Sequence, residues 1–220
     1  GIPEAVSKIC SESDVKKFIH VSAIGANESS KSLYQKSKHQ GEVKALKNFK
    51  NTIIIRPSVV CGTEDKFTNL FSKLSFLPVI PVCGINYNFQ PILVSDVADA
   101  IVQSIQIKNN EKNIYEIGGP KIISFGSMIK SILKTINKKR LVVEMPMIIA
   151  KAQSTIIDLL PITPILTKDQ CKILTEADNV VSNKHLTLKD LDINPSDVEE
   201  AMKKWLWRYR DGGQFANKKI

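Results

Sequence analysis

Cysteine is sparse in this sequence. There are four in 220 residues, Cys10, Cys61, Cys83 and Cys171, and no two share a C-x-x-C spacing. That scatter excludes a disulfide framework and a zinc cluster, and fits a reducing compartment. The three histidines, His20, His39 and His185, are equally dispersed, so no metal centre is expected. Arginine is scarce for a chain of net charge +9: four of the 31 basic residues, against 27 lysines. Base and phosphate recognition favours the planar arginine fork, and these lysines are spread along the chain with only short clusters such as NKKR at 137–140. The expectation is a solvated, lysine-biased surface with no nucleic-acid partner and a weak pull toward acidic lipid. Long apolar runs are missing as well. The richest stretch, 145–166, is interrupted by Lys151, Gln153, Ser154, Asp158 and prolines, so it does not read as a bilayer span. The opening GIPEAVSKIC has neither a basic start nor an apolar core, so it does not read as a secretory leader. No internal repeat is present.

What is there is the composition of an ordinary globular protein, 43% hydrophobic and 24% charged, with enough chain to bury a real core. A short helix over 4–13 leads into KKFIHVSAI (16–24), a buried strand that stops at Gly25. A helix is expected over 33–48 with Ser32 as N-cap, and a second buried strand in NTIIIRPSVVCG (51–62). Strand, helix, strand with short loops is a parallel crossover unit of a doubly wound sheet. Further on come a helix over 65–75, an extended LPVIPVCG, and a strand leading to a helix capped by Asp96. These are followed by the strand NIYEIGGP, a helix capped by Ser124, the strand LVVEMP and a largely helical remainder. Asp96 and Asp99 are read as helix-start carboxylates rather than an acid pair, and Gly118–Gly119–Pro120 as a strand end rather than a phosphate loop.

The stretch SLYQKSK places Tyr34 and Lys38 four apart, on one face of the expected helix. With four tyrosines and 27 lysines, about half a Tyr-x-x-x-Lys match is expected by chance. Context gives the pair its meaning. In a tyrosine dehydrogenase the phenol exchanges a proton with a substrate oxygen, and a lysine one turn along lowers a pKa that is otherwise near 10. A serine hydroxyl ending the adjacent strand holds the same oxygen, and Ser22 ends IHVS. The order Ser22, Tyr34, Lys38, then a second strand ending in RPS, marks a candidate site.

These residues, together with FQPILVSDVADAI and YEIGGP, resemble the second half of the extended, atypical short-chain dehydrogenase/reductase family. Within it the likeness is greatest to the accessory subunit of respiratory complex I (NADH:ubiquinone oxidoreductase) and its bacterial relatives. LTKDQCKILTEADNVVS (166–182) resembles a C-terminal signature of that subgroup. The resemblance implies an α/β fold: the C-terminal half of a Rossmann-type doubly wound parallel sheet over 1–120, and a small, mostly helical C-terminal lobe over 121–220. It carries the catalytic roles onto Ser22, Tyr34 and Lys38, and cofactor contacts onto Tyr34, Lys38, Pro57, Ser58 and Val59. Asn69 and Gln90 fall where family members place substrate-pocket residues. It implies NADP or NAD, with NADPH favoured, and complex I subunits as partners. It also implies a cytoplasmic, peripheral position on the inner face of a bacterial membrane, or on the mitochondrial matrix side. The alternative it leaves open is an active oxidoreductase, epimerase or dehydratase acting on a sugar nucleotide or a hydrophobic carbonyl. The Gly-rich turn that holds the pyrophosphate, and the ribose-selecting residue, do not occur in the 220 residues. A preceding segment of roughly a hundred residues is therefore expected.

Two further stretches invite sharper readings. In KKWLWRYRDGGQF (203–215), Trp205 and Trp207 lie on opposite sides of a helix, so one is expected to pack inward and the other to face a partner or a membrane interface. Residues 145–160 read as a lobe helix, or as the wall of a quinone or lipid groove.

Overall fold

The computed structural model describes residues 1–107, 113–146, 167–174 and 176–213. Its central sheet has three parallel strands in the order β1–β2–β7, with β1 Phe18–Val21, β2 Thr52–Pro57 and β7 Ile114–Ile117. All six residues of β2 are buried, which is why TIIIRP shows no alternation: a central parallel strand is covered on both faces. Side chains alternate along it. Ile53 and Ile55 pack with Val97 and Ala100 of α4 (Val94–Gln106), whereas Thr52 and Arg56 bond residues of α2 (Leu33–Asn48). That alternation puts α2 and α4 on opposite faces of the sheet. Helix α1 (Ile2–Glu12) lies against α2.

The remaining strands form small pairs: β3 (Val60–Cys61) with β6 (Ile92–Leu93), β4 (Val79–Val82) with β9 (Leu141–Glu144), and β5 (Asn88–Phe89) with β8 (Ile123–Ser124). The last pair is antiparallel and the others parallel. Helices α3 (Lys66–Leu74) and α5 (Phe125–Thr135) complete this lobe around an aromatic cluster. Phe67 meets Phe71 and Phe89 edge-on at 5.3 and 5.6 Å, and Phe71 meets Phe125 at 5.4 Å. Trp205, Met202 and Leu206 close the cluster from the C-terminal end, and Trp205 Nε1 donates to Thr68 Oγ1 at 3.2 Å. Trp207 stays 39% exposed, so the expected split between the two tryptophans holds. This lobe core draws residues from both sides of position 120.

Ser32 and Ser124 cap their helices as expected, accepting from the amides of Gln35 and Ser127, and Asp65 caps α3, accepting from the amide of Thr68. Asp96 does not cap. Leu93 occupies that position, while Asp96 sits buried in the first turn and accepts from the amide and hydroxyl of Ser196. The carboxylate serves a contact a hundred residues away, which helix-start rules cannot foresee. The C-terminal stretch is less helical than expected. Residues 176–187 run as irregular chain, pairing Asn179 with Phe89 and Leu186 with Tyr115. The helix expected over 145–160 falls, from residue 147 on, outside the described residues. Two glycines are fixed by geometry. Gly25 adopts φ +88° in the turn after β1, and a Cβ on Gly119 would stand 2.0 Å from the Pro91 carbonyl oxygen.

A buried ion cluster ties the sheet to its surroundings. The Arg56 guanidinium donates to both Glu42 carboxylate oxygens at 2.9 and 2.6 Å and to Glu116 Oε1 at 3.4 Å. Glu116 Oε2 in turn accepts from Ser182. Removing one partner of a buried ion group strands the others, so Arg56→Ala is expected to lower unfolding free energy by about 3–5 kcal/mol. Urea denaturation is the measurement; a loss well below that range would show that water reaches the cluster.

Candidate functional site

A cavity of about 530 Å3 opens at the C-terminal ends of β1 and β2, where ligands bind in open α/β sheets. Val21–Ile24 and Pro57–Val60 form one wall, and Phe67, Tyr87, Phe89 and Phe125 of the lobe form another. Tyr34 and Gln35 at the start of α2 stand at its side. Helix α6 (Lys168–Ile173) contributes Gln170 and Ile173, followed by Leu174 and Asn179. No charged side chain among the described residues lines it.

The fold brings Ser22, Tyr34, Pro57, Ser58 and Val59 to this one space. Ser22 is buried, its amide bound to the Ile55 carbonyl at 2.7 Å, and its hydroxyl has no hydrogen-bond partner among the described residues. Ser22 lines the cavity, and a buried hydroxyl without a partner is an unmet donor and acceptor. Tyr34 is 47% exposed. Lys38 is not among the lining residues; its Nζ lies 5.7 Å from the centroid of the Tyr34 ring and 3.5 Å from the Val21 carbonyl oxygen. The expected lowering of the phenol pKa is not what the site shows. Burial pushes Tyr34 above its ordinary value, and the half-exposed ammonium beside the ring does not offset that.

Ser58 is committed elsewhere. Its amide donates to the Ile117 carbonyl and its hydroxyl to Asn179, at 2.6 Å to Oδ1. Asn69 and Gln90, placed by the resemblance at pocket positions with core or surface polar roles equally open, are not among the residues that line the cavity. Asn69 is a structural knot, its Oδ1 accepting from Arg208 and from the Tyr209 hydroxyl at 2.7 and 2.8 Å. Gln90 spans two chain segments, donating to the Gly119 carbonyl at 2.6 Å and accepting from the Val181 amide at 3.2 Å.

No protein-family model matches the chain. Its sequence is 32% identical over 212 residues to NADH dehydrogenase (ubiquinone) 1 alpha subcomplex subunit 9, mitochondrial, of Arabidopsis thaliana, covering 90% of this chain and 52% of that protein. The subunit of that name from Mus musculus is 28% identical, covering 96% of this chain and 56% of its own. The chain is homologous to these subunits. It spans about half the length of the curated relatives it matches. Among solved structures, dTDP-4-dehydrorhamnose reductase from Bacillus anthracis in complex with NADP overlays with a TM-score of 0.63 at 14% identity, over 92% of this chain and 69% of that one. dTDP-glucose 4,6-dehydratase from the same organism, in complex with NAD, gives 0.66 at 15%, over 94% and 66%. The fold is therefore the Rossmann-type α/β fold of those proteins, as the sequence led one to expect.

The 167–179 stretch does work that its sequence did not reveal. The Asp169 carboxylate accepts from the Ser32 hydroxyl at 2.6 Å and from the amides of Leu33 and Tyr34 at 2.8 and 3.1 Å. Glu176 accepts from the Ser30 hydroxyl at 2.9 Å and from the Lys31 amide. Asn179 joins Ser58 to the Ile24 carbonyl, spanning the ends of β1 and β2. Described residues of the stretch thus form part of the cavity wall and cap the helix that carries Tyr34. Its carboxylates were readable only as charges, because their partners lie more than 130 residues upstream.

Burial alone would raise the Asp169 carboxyl, but the bonds from Ser32, Tyr34 and Leu33 outweigh it and hold the group below its ordinary value. A depressed carboxylate pKa contributes stability above the unfolded value that is lost as pH falls through the folded one. The amides of Leu33 and Tyr34 are accordingly expected to lose hydrogen-exchange protection as pH drops below about 4. Asp169→Asn should reproduce the loss at neutral pH; equal protection in that variant would show that the cap does not depend on the charge.

Proposed function

We propose that this chain is part of a nicotinamide-dinucleotide-binding accessory or assembly component of respiratory complex I. What carries the reading is that its homology to NADH dehydrogenase subunits runs over nine-tenths of the chain. No helix among the described residues is long and apolar enough to cross a membrane, and the relatives are mitochondrial by name. A peripheral position on the matrix side, or on the corresponding inner face of a bacterial membrane, accords with both.

The residues fit a nicotinamide ligand to the extent that the Ser22 hydroxyl is buried and unpaired at the cavity wall. The dinucleotide, when bound, supplies a hydride; NADPH is favoured over NADH. Pro57, Ser58 and Val59 would hold its nicotinamide end, with Tyr34 and Lys38 at the side. Ser22 would donate to a ligand oxygen. Tyr34, raised by burial, keeps its proton at neutral pH and donates rather than abstracts. In detergent extracts of the native membrane the full-length protein should co-migrate with NADH dehydrogenase activity and release a nicotinamide dinucleotide on denaturation. Recovery solely as a free protein without nucleotide would overturn the reading.

One observation supports a second reading. A sugar nucleotide carries a diphosphate that needs cations, and this cavity is aromatic and lacks charge among the described residues. If the site turns over, an apolar carbonyl compound suits it. Tyr34→Phe is expected to leave complex assembly unchanged. NADPH-dependent reduction of an apolar carbonyl, abolished in Tyr34→Phe, would establish the second reading in place of the first.

A further inference from the structure

The lysines that look scattered in the sequence are gathered by the fold. Lys73 ends α3, Lys130 and Lys134 lie one turn apart on the exposed side of α5, and Lys138, Lys139 and Arg140 form the turn into β9. Arg140 Nε donates to the Ser75 carbonyl at 2.7 Å, and the Leu141 amide to the Pro78 carbonyl at 3.2 Å. These bonds fix the turn against the end of α3. The result is a concave surface of about 630 Å3 lined by Lys130, Lys134, Lys138, Lys139 and Arg140. Lys138 is paired with Asp211; no ion pair among the described residues neutralises the other cations. Favourable placement at a helix C-terminus accounts for Lys73 and Lys134, and the bond to the Ser75 carbonyl for Arg140, but neither accounts for Lys130 or Lys139.

Large apolar side chains stand beside these charges. Phe76, next to Ser75, is 75% exposed, and Leu141, next to Arg140, is 62% exposed. Val79 is the register partner of Leu141 on the adjacent strand and is also exposed. Apolar anchors ringed by unpaired cations match the two terms of peripheral membrane adsorption, insertion into the acyl boundary and attraction to anionic headgroups. A protein partner fits less well. Protein interfaces are depleted in lysine and enriched in arginine, and five of the six cations here are lysines. We propose that the surface built by the C-terminal ends of α3 and α5 and the turn into β9 docks on an anionic lipid bilayer. Phe76 and Leu141 enter the headgroup boundary while Lys130, Lys134 and Lys139 meet lipid phosphates. The inference stands apart from the cavity and its occupant.

Sedimentation of the full-length protein with vesicles tests it. Vesicles of phosphatidylcholine mixed with cardiolipin should bind it, vesicles of phosphatidylcholine alone should not, and high salt should release it. The Lys134→Gln/Lys139→Gln double variant should lower the partition coefficient about 30-fold, at roughly one headgroup interaction per charge. A control double variant, Lys8→Gln/Lys47→Gln on α1 and α2, changes net charge equally and should bind as the parent does. Phe76→Ser should weaken binding without altering its salt dependence. Thermal melting matched to the parent shows that each variant is folded. No binding to either vesicle, equal binding to both, or equal losses in the two double variants would overturn the proposal. So would failure to bind vesicles together with loss of subunit assembly in the Lys134/Lys139 variant, which would assign the surface to a protein.

Discussion

One guanidinium holds the sheet to everything around it. Arg56 lies buried in the middle strand and can stay charged there only because every side of it is answered. Burial works against the charge, and the Glu42 and Glu116 carboxylates more than offset it, raising its pKa. Glu42 belongs to the helix that carries Tyr34, Glu116 to the neighbouring strand, and His185, whose Nε2 is 3.2 Å from Arg56, to the returning C-terminal chain. Burying a charge costs several kcal/mol per ion, so such a cluster contributes little net stability. Its effect is on arrangement: any register shift that moves Arg56 strips the Glu42 and Glu116 carboxylates of the guanidinium that pairs with both.

That arrangement places the cavity. With β1, β2 and α2 fixed to one another, the ends of both strands and the start of the helix open on the same side, and the aromatic lobe closes the space opposite. The C-terminal chain returns twice to this frame. At Leu186–Leu191 it adds apolar packing to the sheet, and at residues 198–206 it fills the lobe core. Sheet and lobe are therefore joined by chain that crosses between them repeatedly.

Much of the local structure was legible in the sequence because it rests on neighbouring residues. The caps Ser32 and Ser124, the apolar run of β2 and the stop after Ile117 are all short-range signals. Ser22 and Tyr34 were recognisable as an ordered pair, and the fold does bring them to one cavity. What escaped were interactions between distant segments. Asp96 looked like a cap and instead holds Ser196; Asn69 and Gln90 looked like pocket residues and instead fasten the C-terminal chain. The phenol of Tyr34 was judged by its lysine, whereas burial governs it. Asp169, Glu176 and Asn179 carry no periodicity or spacing that names their partners. The basic surface was legible only in part: NKKR stood out as a short cluster, but that Lys130 and Lys134 one turn earlier line the same concavity follows from the fold.

The wall that α6 gives the cavity has a thermodynamic corollary. The helix that lines the space with Gln170 and Ile173 also supplies, through Asp169, the acceptors for the first amides of the Tyr34 helix. Displacing α6 therefore uncaps that helix, so the two events share one equilibrium. By linkage, an occupant that holds α6 in place also tightens the first turn of the Tyr34 helix. Occupancy would then be readable from the exchange of backbone amides that never touch the occupant, which makes the helix start a reporter of whatever the cavity holds.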